Sequence, residues 1–266
     1  MGHITVACLN FNGLDSLKES IASVLAQTLK PDRFVVIDNA STDSSRQIGV
    51  DMGVEIVDAD NKHQFITGLN AALELNQDKL FFMQNDVVLD KDCLKNMIRD
   101  CPVYNFIAQP VIYQTNREID NAGMDYYWPG FGLRRHSNWW GDYNWRNCGL
   151  VTTICFMTDV KYVSFDTQFS PAYYEDIDWY LRTKSTVSHI LISSGKAIHR
   201  GNHTFSQTFK KRQISDICHR HRVKLINKHY KGIDRLIRLT VTASFYVMKK
   251  SFDVVRDRWV SYNNRK

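Results

Sequence analysis

Four short apolar runs mark the first hundred residues: Ile4-Thr5-Val6-Ala7-Cys8-Leu9, Phe34-Val35-Val36-Ile37, Val54-Glu55-Ile56-Val57 and Leu80-Phe81-Phe82-Met83. Runs of this length, bounded by polar residues, read as buried strands. Helical spacing fills the gaps. Leu17, Ile21, Val24 and Leu25 share a face in a helix starting near Asp15, where Ser16 and Glu19 have capping-box spacing. A second helix is predicted from Ile66 to about Asn76, and a third carries Leu94, Met97 and Ile98. The β-α-β-α order predicts an α/β fold with a parallel sheet and helices on both faces.

The pattern then changes. Phe106-Ile107-Ala108 and Val151 to Met157 read as strands, and a Gly- and aromatic-rich segment lies between them. Four of the six tryptophans fall within 126–145, among Arg134, Arg135, His136, Asn138, Asp142 and Asn144. Aromatic rings mixed with polar groups suit sugar rings, and equally they cover hairpins and fill cores. His189-Ile190-Leu191-Ile192 is another strand, leading to Ala197-Ile198-His199. Beyond Ser206, Ile214, Ile217, His221, Leu225 and Ile226 have helical spacing up to Tyr230-Lys231-Gly232. A longer pattern follows through Ile233, Leu236, Ile237, Val241, Phe245, Met248, Phe252, Val255 and Trp259, with arginines and lysines on its polar side. It reads as a basic amphipathic helix that docks on the body, self-associates or lies on a bilayer.

Charge sharpens the division. Residues 206–266 carry 16 Lys/Arg against 4 Asp/Glu, whereas residues 1–205 carry 18 against 24. A basic tail on an acidic body suits an anionic surface, membrane or nucleic acid. The six cysteines are scattered with no CxxC pair, which reads as reduced thiols in a cytosolic protein. No secretory leader is expected, since strand-like sequence begins almost at once. No apolar run approaches the ~20 residues of a membrane span.

Two acidic stretches carry candidate chemistry. Gln84-Asn85-Asp86-Val87 follows a strand, and ligands of open α/β sheets bind beyond the strands' carboxyl ends. A carboxylate there can hold a divalent cation on a diphosphate, or simply open a turn. Glu175-Asp176-Ile177-Asp178 puts three acids within four positions, with Arg182 at i,i+4 from Asp178. Such a cluster is either a well-capped helix start or a general base with a neighbouring acid tuning it. His199, alone after a strand, reads on its own as structural.

Taken together, these motifs resemble inverting family 2 glycosyltransferases of the GT-A fold, in particular the bacterial rhamnosyltransferase-like branch. The resemblance spans roughly 4–230. It rests on Thr5 to Asn12, on Val35-Val36-Ile37-Asp38-Asn39-Ala40-Ser41-Thr42-Asp43, and on Asn61 with Phe65, Gly68 and Asn70. Gln84-Asn85-Asp86-Val87 and Glu175-Asp176-Ile177-Asp178 with Arg182 complete it. Gln64 departs from the family's usual glycine, and the metal motif has a single acid.

The resemblance implies a nucleotide-diphosphate sugar donor (UDP-, dTDP- or GDP-linked) held by Asn10, Asn12, Asp38, Asn39, Phe65, Gly68, Asn70 and Asn85. It implies Mn2+ or Mg2+ on Asp86, with His199 as a further ligand. Asp176 would deprotonate an acceptor hydroxyl, and Glu175 and Asp178 would position the base or acceptor. The acceptor, a glycan or lipid-linked precursor in polysaccharide biosynthesis, is expected at Trp139, Trp140, Tyr143 and Trp145.

The expected organisation is a catalytic domain over 1–205, with a nucleotide-sugar half to about 100 and an acceptor half after it. Residues 206–266 form a helical extension. The extension is expected to touch the cytoplasmic membrane face or a second copy, with no nucleic-acid partner. A nucleotidyltransferase is the nearest alternative, but Asn10-Phe11-Asn12-Gly13 lacks the lysine and repeated glycines of a triphosphate loop. A non-catalytic carbohydrate-binding protein would leave the Glu175–Asp178 cluster without a role.

Overall fold

The computed structural model describes residues 2–59, 65–75, 78–101, 104–126, 133–135, 145–160, 163–201 and 210–263. Its first half alternates as the apolar runs predict. Strand β1 (Ile4–Asn10) leads to α1 (Leu17–Leu25), β2 (Arg33–Asp38) to α2 (Ser45–Asp51), and β3 (Glu55–Asp58) to α3 (Phe65–Glu74). Strand β4 (Lys79–Gln84) turns through Asn85-Asp86 into β5 (Val87–Leu89), and α4 (Cys93–Asp100) follows. The second half holds β6 (Phe106–Tyr113), β7 (Ile119–Asn121), β8 (Met124–Tyr126), β9 (Leu133–Arg135), β10 (Trp145–Asn147) and β11 (Cys155–Thr158). It closes with α5 (Glu175–Thr183), β12 (Ser188–His199), α6 (Lys211–His229) and α7 (Gly232–Asn263).

The main sheet runs β10-β12-β6-β11-β4-β1-β2-β3, with β5 beside β12 and β7 beside β6. β1 pairs in parallel with both β2 and β4, and β2 with β3. β11 is antiparallel to β4 and β6, and β12 is parallel to β6. The sheet is mixed and mainly parallel, the Rossmann-like form that the GT-A resemblance implies. Alternation along each strand feeds two cores. Ala7, Leu9 and Phe82 face α3 and α5, while Val6, Cys8, Phe81 and Met83 face α1 and α4. On the first face Phe82 stacks on Phe156 with ring centroids 5.3 Å apart, and Phe156 meets Trp179 at 5.5 Å. Trp179 is buried and its Nε1 donates to Val163 O at 2.7 Å. The base of α5 is therefore fixed to the sheet.

Several local expectations are corrected. Ser16 makes no side-chain cap bond, because Gly13 O closes the turn by accepting from the Ser16 and Leu17 amides. The strand expected from Val151 begins only at Cys155: the Thr152 amide donates to Gln109 Oε1, and Thr153 O accepts from Gln84 Nε2. His189 to His199 is one strand broken by a bulge between Ile192 and Lys196. The cysteines are free thiols, as expected for this sequence.

The tail divides in two. In α6, Ile217, His221, Leu225 and Ile226 are buried, as their spacing predicts. Its cations turn inward as well: Lys224 reaches Gln168 O, and Lys228 reaches both Asp166 and Asp178. Through these contacts α6 of the C-terminal helical extension docks on the body of the protein. α7 packs on α6 through Arg238, Thr242 and Tyr246, with Tyr246 stacked on His219 at 3.8 Å and bonded to Asp216. Ile233, Leu236, Ile237, Phe245 and Val247 lie exposed. The side chains of Met248, Phe252, Val255 and Trp259 lie outside the described residues. Among the described residues, no helix is long and apolar enough to cross a membrane.

Candidate active site at the carboxyl edge of the sheet

The loops after β1, β2 and β4 are joined by a buried amide–carboxylate network. Asn10 Nδ2 donates to Asp38 Oδ1 at 2.9 Å and to Ser45 Oγ at 2.9 Å, and Asn10 Oδ1 accepts from Asn85 Nδ2 at 2.9 Å. Asp38 also accepts from the Ser41 hydroxyl and amide. Asn12, in the left-handed region at φ 48°, accepts from the Thr42 amide at 2.8 Å. Asparagine tolerates that conformation better than most residues. Asn39 is buried, its amide donates to Asn10 O, and its Oδ1 has no hydrogen-bond partner among the described residues. Asp38 is thus the hub of these loops, its oxygens serving Asn10 and Ser41. Gly13 is required here: a Cβ would sit 2.1 Å from Asn85 Nδ2 and 2.4 Å from Asn10 Oδ1.

Three further residues expected at the donor make packing contacts in this structure. Phe65 stands edge-on to Phe82 at 6.5 Å in the core. Gly68 lets α3 approach β1, since its Cβ would fall 2.3 Å from Leu9 Cδ1. Asn70 clamps the backbone of Phe165, accepting its N–H at 2.8 Å and donating to its carbonyl at 3.0 Å.

Asp86 sits in the β4–β5 turn. Pairing of β5 with β12 sets Val87 opposite His199, and the Arg200 amide donates to Asp86 O at 2.9 Å. His199 Nε2 then lies 3.3 Å from Asp86 Oδ2, and its Nδ1 lies 2.9 Å from Asp120 Oδ2. Burial opposes a charged imidazole, but the bonds and charges of Asp120 and Asp86 outweigh it and lift His199 to about 9. Nothing in the sequence signalled Asp120. Among the described residues, no group of three or more His, Cys, Asp or Glu side chains could by itself hold a metal ion. The Asp86–His199 pair nonetheless fits Mn2+ or Mg2+: such ions take one or two protein donors and complete their shell with water and phosphate oxygens.

The acids of α5 are separated by their environments. Glu175 is buried, its Oε1 accepts from Thr153 Oγ1 at 3.0 Å, and its Oε2 has no hydrogen-bond partner among the described residues. Burial, together with the charge of Asp176, pushes it up to about 8. Asp176 is half-buried, and its carboxylate accepts from the Ile177 amide at 2.8 Å. Thr153 reaches both sides, because its carbonyl accepts from Gln84 Nε2 at the end of β4. The β4 edge and the N-terminus of α5 therefore meet.

Asp178 is the third acid of the cluster. It is fully buried and bonded to Arg182 Nε (2.8 Å), Lys228 Nζ (2.7 Å) and His229 Nε2 (2.8 Å). Burial favours its neutral form, but the bonds from His229, Lys228 and Arg182 prevail and hold it down at about 2. Asp178 anchors α6, and α6 in turn braces the approach to Glu175. His221 Nδ1 meets Tyr173 O at 3.0 Å, and Arg222 Nε donates to Tyr174 Oη at 2.7 Å. Tyr173 and Tyr174 both have φ near 75°, a strained conformation for aromatic residues that such supports stabilise. Of the expected acceptor residues, Trp139, Trp140 and Tyr143 lie outside the described residues, as does Asn61. Trp145 pairs with Ile192 through β10, and its side chain lies outside the described residues.

The model of glycosyl transferase family 2 matches residues 5–157, more than half the chain. This chain belongs to glycosyl transferase family 2. The matched stretch of this glycosyltransferase holds Asp38, Asp86 and Asp120, while Glu175–Asp178 and His199 lie beyond it. The O-antigen chain rhamnosyltransferase RfbN of Salmonella typhimurium is 32% identical over 92 residues, 33% of this chain and 27% of that protein. The chain thus matches about a quarter of the length of that curated relative.

Solved structures agree on the fold. TarS of S. aureus in complex with UDP-GlcNAc superposes with a TM-score of 0.58 at 14% identity, covering 91% of this chain and 71% of that one. A mannosyltransferase of Pyrobaculum calidifontis in complex with GDP-Man and Mn2+ gives 0.58 at 12% identity, covering 92% and 70%. The sheet is that of the GT-A fold.

Proposed function

We propose that this glycosyltransferase moves a sugar from a nucleotide-diphosphate donor to a hydroxyl of a glycan or lipid-linked acceptor, with inversion at the anomeric carbon. The observation that carries the reading is the junction at Thr153. It ties buried Glu175 to the end of β4, where the next turn sets Asp86 against His199. Two adjacent acids with divided environments have divided roles. Glu175, neutral below about 8, holds a proton and orients its neighbour. Asp176 is the general base. It takes the acceptor's proton as that oxygen attacks the anomeric carbon, and the bond to the nucleoside diphosphate breaks on the opposite face.

Asp86 Oδ2 and His199 Nε2 would hold Mn2+ or Mg2+, which when bound offsets the charge gathering on the leaving diphosphate. The Asn10–Asp38–Asn85 network shapes the nucleotide half, and Asn12 and Asn39 line its loops. The acceptor would meet the aromatic segment up to Trp145. Similarity to proteins described with GDP-Man and Mn2+, with UDP-GlcNAc, and as an O-antigen rhamnosyltransferase supports donor and acceptor of these classes.

The test is transfer and donor binding measured side by side. Asp176→Asn should lose roughly 10²–10⁴-fold in transfer and keep its donor affinity. Equal loss of both would reject Asp176 as the base. The same reading places the enzyme in the cytoplasm against the membrane face. With the α6 cations turned inward, that contact, or a homodimer, would use the exposed Ile233–Val247 face of α7. Failure to co-sediment with anionic liposomes at low salt would remove the membrane contact.

A further inference from the structure

One carboxylate beside the site is not explained by the transfer chemistry. Asp120 lies on β7, a three-residue strand at the sheet margin beside β6. Its neighbour Asn121 is buried and accepts from both Gln109 Nε2 and the Gly123 amide at 2.9 Å. Gln109 Oε1 in turn accepts from the Thr152 amide, next to the residue that contacts Glu175. The register of β7 against β6 shifts at Asp120, between the Asn121–Ile112 and Ile119–Tyr113 pairs, and such a bulge re-aims a side chain. Holding Asn121 therefore holds the bulge, and Asp120 Oδ2 stands 2.9 Å from His199 Nδ1. The second ring nitrogen, Nε2, faces Asp86 at 3.3 Å. Asp120, His199 and Asp86 thus form a line, with the imidazole between two carboxylates whose side chains are 11% and 9% exposed.

A neutral imidazole has two tautomers, and only one leaves Nε2 bare. A carboxylate on Nδ1 selects that one by accepting the Nδ1 proton, and it also fixes the ring plane and makes Nε2 more basic. We propose that Asp120 is the positioning carboxylate of the divalent-cation site, holding His199 in the Nδ1–H tautomer with Nε2 directed at the ion shared with Asp86. The proposal rests on the reading of Asp86 and His199 as the metal-holding pair.

The test uses the full chain and Mn2+ alone, titrated by the EPR signal of the free ion. Four variants are compared with wild type: Asp86→Ala, His199→Ala, Asp120→Leu and Asp120→Asn. Asp120→Leu should weaken Mn2+ binding roughly 10–100-fold. Asp120→Asn, which still accepts from Nδ1 but carries no charge, should fall between it and wild type.

A second readout is the long-range 1H–15N spectrum of histidine-labelled, Mg2+-saturated protein. It should show the His199 proton on Nδ1 in wild type and lose that signature in Asp120→Leu. A merely structural Asp120 would alter the melting temperature and leave both readouts unchanged. If Asp86→Ala and His199→Ala bind Mn2+ as wild type does, the metal reading itself fails and Asp120 falls with it. If those two variants weaken binding while both Asp120 variants bind normally with His199 still protonated on Nδ1, only the role of Asp120 is overturned.

Discussion

Replacing Asp178 with asparagine tests whether α6 is part of the catalytic body. The Asp178 side chain is fully buried, with Arg182, Lys228 and His229 all within 2.8 Å. Its depression from 3.8 to about 2 corresponds to roughly 2 kcal/mol of stability. Because the folded value is the lower one, this contribution is complete above the unfolded value near 3.8 and is lost as pH falls through about 2. Roughly half should be gone at pH 3. Asparagine removes the charge but leaves the Arg182 and Lys228 cations facing each other beside His229. Breaking a buried pair from one side costs about 3–5 kcal/mol, and Lys228, one-third exposed, can partly rehydrate, so we expect about 3 kcal/mol. For a chain of this size that is a fall of roughly 6–12 °C in melting temperature. Calorimetry and urea unfolding of wild type and Asp178→Asn at pH 7 and pH 3 measure it. A difference under 1 kcal/mol at pH 7, or one that does not shrink by pH 3, would refute the anchoring role.

Other consequences are direct. Glu175→Gln should retain most transfer activity below pH 8, because the native side chain is already neutral there, and should abolish any alkaline limb near 8 in the pH–rate profile. Its stability advantage over wild type should widen from about pH 4.5 to 8, since unfolded Glu175 ionises while the folded group stays protonated; a constant gap on calorimetry would contradict the buried neutral acid. Gly13→Ala should destabilise by about 1–3 kcal/mol in urea unfolding, because the new methyl forces apart the Asn10–Asn85 bond. Arg222→Ala frees Tyr174 and should lower kcat by roughly ten- to a hundredfold with donor affinity unchanged, measured by steady-state transfer and calorimetric titration.

Sequence pattern carried much of this. The apolar runs located β1 to β4, and the polar turn after Met83 placed Asp86 beyond a strand's carboxyl end. The i,i+4 spacing of Asp178 and Arg182 anticipated their ion pair. Spacing cannot show what lies across a gap. Asn10, Asp38 and Asn85 are far apart in the chain, and only the fold shows that they bond to one another across the loops. Asn70 has the same history, because Phe165 lies 95 residues away. Asp120 sits in a short polar stretch that reads as a turn, and only the pairing of β7 with β6 brings it near His199. The contacts of the basic tail were hidden in the same way. Charge counts register Lys224 and Lys228 as unpaired, but the carbonyl of Gln168 and the carboxylates of Asp166 and Asp178 receive them.

The central claim is that Asp86 and His199 hold a cation on a nucleotide-diphosphate donor while Asp176 stands ready as base. The most direct measurement is a thermal-shift screen of UDP-, dTDP- and GDP-sugars, each with and without Mn2+, on wild type, Asp86→Ala and Asp176→Asn. A donor at a hundred times its dissociation constant adds about 2.7 kcal/mol, a shift of several degrees. The account predicts stabilisation by one nucleotide class that needs Mn2+, disappears in Asp86→Ala and persists in Asp176→Asn. A shift that ignores both Mn2+ and Asp86, or no shift with any nucleotide sugar, would contradict it.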